Sequence, residues 1–321
     1  MLVRGQIRRG TTFLNNKVTI IGSEDLFDPS DLAVAPAILV ILVGIAVHRV
    51  VTQSVFPVVA VPVVLVLVFA FFRRGRFGGV VWKPTLENFA RVLDPIYLSV
   101  LGNSLVIASI TTVLALLLGY PTAYAISRLP RSRRTIALIL VVLPFWTNFL
   151  IRTYAWIIML NSEGPLNALL MATHVTGAPI PFLYNRGAVV VGLLYAYLPL
   201  MILPLYASIE RLDPQLREAA ANLGATPSRV FRDVTLPLTL PAVITGSLFV
   251  FVPSLGNFVV PELLGGGKTV MVGNVIRDQF LKARDWPFGA TLGLLVIVFL
   301  VLLFVLQSWA SRRVTGGGRG V

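Results

Sequence analysis

The sequence predicts an all-α polytopic membrane protein with about six transmembrane helices, or seven. Three observations carry this. Of 321 residues, 56% are hydrophobic and only 13% charged, with a mean hydropathy of +0.84. A soluble domain carries about a quarter charged residues. The apolar residues are bunched into runs of roughly 20, enough to cross a hydrocarbon core of about 30 Å. The alternating segments of about ten residues that mark a membrane β-barrel are missing.

A polar tail, 1–32, comes first; its basic start is followed by polar and acidic sequence, unlike a cleavable signal peptide. An N-terminal hydrophobic region, 33–80, follows. Residues 33–72 are apolar except near His48, Pro57 and Pro62. A single helix of that length would reach about 60 Å, too long for one crossing. The region therefore holds two spans, or one span and an interfacial or re-entrant piece. Five clear spans follow at 98–119, 136–160, 188–209, 241–263 and 289–310, within a main domain of 84–310. A basic tail, 311–321, ends the chain. Gly119, Pro121, Pro144, Pro199, Pro204, Gly246, Pro253 and Gly256 fall inside or at the ends of the spans. Such residues are tolerated where neighbouring helices satisfy the freed backbone, and they mark either a pathway or a packing contact.

Lys and Arg favour cytoplasmic loops. The loops at 128–135 and 210–236 share a side with the C-terminal tail, and eleven basic residues there face ten opposite. The short loop with Arg128, Arg131, Arg133 and Arg134 and no acid tips its own side towards the cytoplasm. A cytoplasmic N-tail raises the margin to fifteen against ten and makes the count six. The net charge of +13 reflects topology and anionic lipid rather than nucleic acid, because no aromatic-interleaved basic face occurs. The chain has no cysteine and two distant histidines, His48 and His174. Thiol chemistry, disulfides and a His- or Cys-based metal site are not expected. GGGK at Gly265–Lys268 lacks the spacing and preceding strand of a phosphate-binding loop. No catalytic residues, metal or bound cofactor are expected.

The stretch DPQLREAAANLGATPSRVFRDVTLP, 213–237, is the longest polar interruption of the second half. Asp213 and Pro214 form a helix start, with a cap acceptor and then a proline at the first helical position. LREAAANL is rich in helix formers. Gly224 suits the left-handed turn that ends a helix. Thr226 and Pro227 repeat the start signal, and SRVFRDV makes a second short helix that ends near Pro237. A plain connector needs less order than this.

Glu218-Ala219-Ala220, Gly224 and Val234-Thr235-Leu236-Pro237 carry a resemblance. Their spacing is similar to the EAA loop of ABC importer permeases, with Val234 in place of isoleucine. The resemblance continues in TLENFARVLDPIYLSVLGNSL (85–105), LPFWTNFLIRTYAW (143–156), YLPLMILPLYASIERLDP (197–214) and residues 251–290, which look like the spermidine/putrescine permease subfamily. It implies the type I ABC importer permease fold in a bacterial plasma membrane. It also implies a cytoplasmic coupling helix that sits in a groove of a separate ATPase. Arg217, Glu218, Ala219, Ala220, Gly224, Leu236 and Pro237 would form that contact. The partners it implies are a second permease subunit, an ATPase dimer that uses the ATP, an extracytoplasmic solute-binding protein and the bilayer. Two departures stand out. Asn257 lies where these permeases often carry an acid, and Glu262 lies where aspartate is usual. Permeases for opines, iron, sulfate and molybdate share much of this framework.

A polyamine is a flexible polycation, so its path needs carboxylates or carbonyls and aromatic faces. Candidates are Trp146, Asn148, Tyr154, Tyr195, Tyr197, Asn257 and Glu262, with Phe145 beside them. Glu262 either meets cargo, pairs with Arg152 or lies in the outer interface. Arg152 would repel a cation and is expected to be a structural partner or a snorkelling residue. The alternative from another class is a stand-alone secondary transporter. It would need acids or histidines at membrane depth, and the sequence has almost none there.

Overall fold

A computed structural model describes residues 56–76 and 78–316. The N-terminal tail and the first part of the 33–72 region lie outside the described residues, and with them the choice between six and seven spans. Helix α1, Phe56–Ala70, carries the end of that region. A short antiparallel hairpin follows, with β1 at Phe72–Arg74 and β2 at Val80–Pro84, paired Arg74 to Val80 and Arg73 to Val81. Then come α2 (Glu87–Val92), α3 (Pro95–Ser127), α4 (Arg131–Trp146), α5 (Phe149–Leu160), α6 (Pro165–Ala172) and α7 (Arg186–Glu210). The second half has α8 (Pro214–Asn222), α9 (Pro227–Val230), a π turn (Phe231–Thr235), α10 (Leu236–Gly256), α11 (Val259–Gly265), α12 (Val272–Leu281) and α13 (Trp286–Gly316). Among the described residues four helices are long and apolar enough to span a membrane, or five if α4 and its continuation are one bent span.

The bundle is built around α7, in which 56% of the apolar window is buried, against 28% or less in α3, α10 and α13. Met201 of α7 is fully buried between two glycines. A Cβ on Gly119 of α3 would lie 2.8 Å from Met201 Cγ, and one on Gly246 of α10 would lie 2.8 Å from Met201 Sδ. Small residues allow this close approach, which is how helices associate without a hydrophobic driving force between them. These two glycines are packing contacts rather than gates.

Two of the expected spans are broken. The run 136–160 bends by 94° between α4 and the helices that follow. Pro144 cannot donate a helical hydrogen bond, Thr147 is extended, and the Asn148 side chain caps α5 by accepting from Leu150 N at 2.8 Å. The run 241–263 breaks at Asn257, whose backbone is extended and whose side chain accepts from Val260 N at 2.9 Å. The start of α12 packs on that break. A Cβ on Gly273 would lie 2.4 Å from the Gly256 carbonyl oxygen. Gly273→Ala is therefore expected to lower the melting temperature in detergent by several degrees, a cost of about 1–3 kcal/mol for overpacking.

The second short helix of the polar loop is not separate, because α9, the π turn and α10 run on as one helix from Pro227 to Gly256. Leu236 N donates to Phe231 O, five residues back. The wider turn precedes Pro237, whose ring would crowd the carbonyl four residues before it in a regular α-helix.

Outside the bundle, the hairpin docks on the turn between α12 and α13. Arg74 donates to Ala283 O at 2.7 Å and Gly79 N to Arg284 O at 3.1 Å. Arg91 of α2 pairs with Asp285 at 2.7 Å, and the Asp285 side chain is fully enclosed. None of this layer was expected, because its strands are three and five residues long.

Candidate functional site

Two regions collect the sequence-selected residues. The first is the polar loop. Asp213 Oδ1 accepts from Gln215 N at 2.9 Å and starts α8. Gly224 ends it at φ +83, with Gly224 N donating to Ala221 O at 2.9 Å and Ala225 N to Ala220 O at 3.1 Å. This pair of bonds is the Schellman motif, and the left-handed angle is why a glycine stands there. Helix α8 has no buried residue, and Leu223 beside the turn is 89% exposed. Arg217 and Glu218 line a cleft of about 360 Å³ with Tyr124 of α3, Arg128 just past its end, and Pro214, Ala221, Ala225, Pro227 and Val230 of the loop. Among the described residues neither Arg217 nor Glu218 has an intrachain ion pair. Ala219 is exposed and Ala220 half-buried. Leu236 packs on the central core, while Pro237 is exposed.

The loop is tied to the bundle. Phe231 of the π turn meets Tyr120 and Tyr124 of α3 edge-on, with ring centroids 5.5 and 5.7 Å apart. Arg134 pairs with Glu210 and donates to the Ser127 and Leu129 carbonyls at 3.0 and 3.3 Å, closing the end of α3. The 128–135 and 210–236 loops thus lie at one end of the molecule.

The second region surrounds the α10–α11 break. Asn257 Nδ2 donates to Tyr197 Oη at 2.8 Å, near the middle of α7. Both line a recess of about 330 Å³ with Pro253, Gly256, Phe258 and Val259. Glu262 does not reach Arg152. It accepts from Arg277 of α12 at 2.9 Å and from Asn274 at 3.3 Å, with its side chain 48% exposed. The Arg277 guanidinium also holds Asp278 at 2.6 Å and lies 5.5 Å from the centre of the Phe258 ring. Partial burial raises the Asp278 carboxyl, but hydrogen bonds from Arg277 and Lys282 outweigh it and hold the carboxyl below its ordinary range. The ion pairs of α12 are therefore intact at neutral pH, and their stabilisation fades only as pH falls through that depressed value.

The other candidates are not brought together. Asn148 is a helix cap. Trp146 and Tyr154 are 80% and 54% exposed, away from this chain's bundle, and Tyr195 stacks edge-on with Trp156 at 5.5 Å. Among the described residues Arg152 has no ion pair with an acid, and it is half-buried. Its Nε and Nη1 are enclosed, and its guanidinium lies near the rings of Phe145 and Phe149. Sequence reasoning missed Phe258, Asn274 and Arg277. The available signal was Glu262 itself, since a carboxylate beside an apolar helix needs a donor.

Apolar spans interrupted by capped breaks, with polar side chains gathered at one of them, are the arrangement expected of a membrane transport component. An ordered polar loop is fixed to one end of its bundle. The chain belongs to the family described as the binding-protein-dependent transport system inner membrane component, whose pattern matches residues 46–316. It is 42% identical over 254 residues to the spermidine/putrescine transport system permease protein PotB of Escherichia coli strain K12, covering 79% of this chain and 92% of that one. It is 44% identical to PotB of Haemophilus influenzae, covering 79% and 89%. The fold matches a bacterial ABC transporter involved in the import of the acidic polysaccharide alginate, with a TM-score of 0.65 at 17% identity over 86% of this chain and 96% of that chain. The chain is thus a multi-pass inner-membrane permease with the type I ABC importer fold, and its family is a transport component rather than a catalytic one.

Proposed function

We propose that this chain is one of two permease subunits of an ATP-driven importer of polyamines, spermidine or putrescine. The observation that carries the cargo class is the 42% identity to PotB across 254 residues, a stretch that covers 92% of that relative. An external binding protein delivers the solute, and a separate ATPase dimer docks on the 213–237 loop. The exposed α8 helix, its unpaired Arg217 and Glu218 and the adjoining cleft support that docking. Movement of the loop would reach the spans through Phe231 and the continuous helix into α10. The ATPase drives the change because it binds one conformation of the loop better than the other.

The polar region suits a cation. Glu262 supplies a carboxylate, Phe258 and Tyr197 supply aromatic surface, and Asn257 supplies an amide. Glu262 is already paired with Arg277, so an ammonium group must share or displace that partner. Among the described residues Trp146, Asn148, Tyr154 and Tyr195 share no site, and any part they play in the pathway involves surfaces beyond those residues, such as the second subunit's.

The test is uptake of labelled spermidine by vesicles containing the full complex. Wild type is expected to accumulate it only with ATP, and Glu262→Gln to lower uptake about tenfold or more while the ATPase stays bound. Normal uptake by that variant would remove Glu262 from the pathway. ATP-independent uptake, unaffected by neutralising Arg217 and Glu218, would favour a secondary transporter.

A further inference from the structure

Among the described residues, Arg152 is a half-buried basic side chain inside an apolar helix that the fold leaves without an acid. It lies on α5, four residues past Asn148, on the face that carries Phe149, Thr153 and Trp156 towards the bundle. Its Nε and Nη1 are shut off from solvent and have no hydrogen-bond partner, while the residue as a whole is half-buried, so the guanidinium is enclosed on one side and open at Nη2. The rings of Phe145 and Phe149 lie 5.3 and 5.8 Å from its Cζ. Four described carboxylates of the bundle and its ends are committed elsewhere. Glu262 and Asp278 hold Arg277, Glu210 holds Arg134 and Asp285 holds Arg91. The two aromatic faces offset only part of the cost of desolvating a guanidinium, and an intramembrane charge of this kind is kept where a counter-charge completes it.

We propose that Arg152 anchors an inter-subunit ion pair, completed by a carboxylate side chain that the second permease contributes at membrane depth. This rests on the two-permease reading above. Charge complementarity identifies the occupant, because the proposed cargo is itself cationic and cannot neutralise Arg152. The preceding helix, bent 94° from α5, offers a second unpartnered apolar face. Helix α4 has no buried residue and exposes Ile136, Ile139, Leu140 and Leu143. A charged pair ringed by apolar residues that exclude water is the arrangement in which an interface charge contributes most.

The experiment compares Arg152→Met and Arg152→Lys in the chain alone and co-expressed with the second permease. In the chain alone, Met is expected to leave the melting temperature unchanged or raise it, because a partly desolvated, unpaired charge has gone. In the complex, Met is expected to weaken retention of the second permease about thirtyfold, while Lys keeps most of it. The chain has no cysteine. Arg152→Cys can therefore be paired with single cysteines replacing each membrane-depth carboxylate of a cysteine-free second permease, and one position is expected to cross-link. Wild-type retention by the Met variant, or no cross-link at any position, would overturn the ion pair and leave the importer reading standing. Failure of the wild-type chain to retain any second permease would overturn both.

Discussion

Gly224→Pro is expected to abolish ATP-driven uptake while the span bundle stays folded. Proline fixes φ near −65°, whereas residue 224 sits at +83. The substitution also deletes the N–H that donates to Ala221 O at 2.9 Å. Both features of the turn that ends α8 are lost, and the helix can no longer be presented in its present direction. The bundle escapes because α8 has no buried residue and nothing lies within 4 Å of a Cβ built on Gly224. Gly224→Ala is the control. It strains the left-handed angle by about 1–2 kcal/mol but keeps the hydrogen bond, and it is expected to retain measurable uptake. Uptake in vesicles, read beside circular dichroism and size-exclusion profiles, checks both variants. Unimpaired uptake by the proline variant would show that the α8 turn has no part in coupling.

The second large effect is on stability. Asp285→Ala is expected to destabilise the outer end by about 2–3 kcal/mol. Asp285 is fully buried and does two things. One oxygen accepts from Arg91 at 2.7 Å, and the other accepts from Phe288 N at 3.2 Å in the first turn of α13. Arg91 is held in turn 4.0 Å above the centre of the Phe288 ring. Loss of the carboxylate frees the start of α13 and the face on which the hairpin docks. The cost falls short of that of a wholly buried pair because the Arg91 side chain is 41% exposed and water can take it up. Asp285→Asn, which keeps an oxygen for the cap, is expected to lose about half as much. Thermal melting in detergent separates them, and an Asp285→Ala variant that melts with wild type would refute this account of the outer layer.

The spans were legible because run length against bilayer thickness is a one-dimensional property. The capped start and glycine end of α8 were legible because a cap acceptor, a proline and a left-handed glycine act on their own neighbours in sequence. What escaped depended on distant partners. Asn148 and Asn257 stand inside apolar runs, yet a polar residue becomes a helix break only when something else takes up the freed backbone. At Asn257 this is done by Asn274, which donates to Phe258 O at 2.8 Å, and by the close approach of Gly273. Both lie on α12, which sequence reasoning treated as loop. Arg277 was not among the alternatives considered for Glu262 for the same reason, since it lies 15 residues away on that unforeseen helix. The helix after Thr226 was recognised, but its fusion to α10 required a π turn, and local propensity carries little sign of one.

The most direct measurement is co-purification of the chain with its neighbouring gene products from intact membranes, in wild type and in Gly224→Pro. An ATPase and a second permease recovered with wild type, and an ATPase lost from the proline variant while the second permease remains, is the predicted result. Recovery of no ATPase with wild type would contradict the account and bring the stand-alone transporter forward.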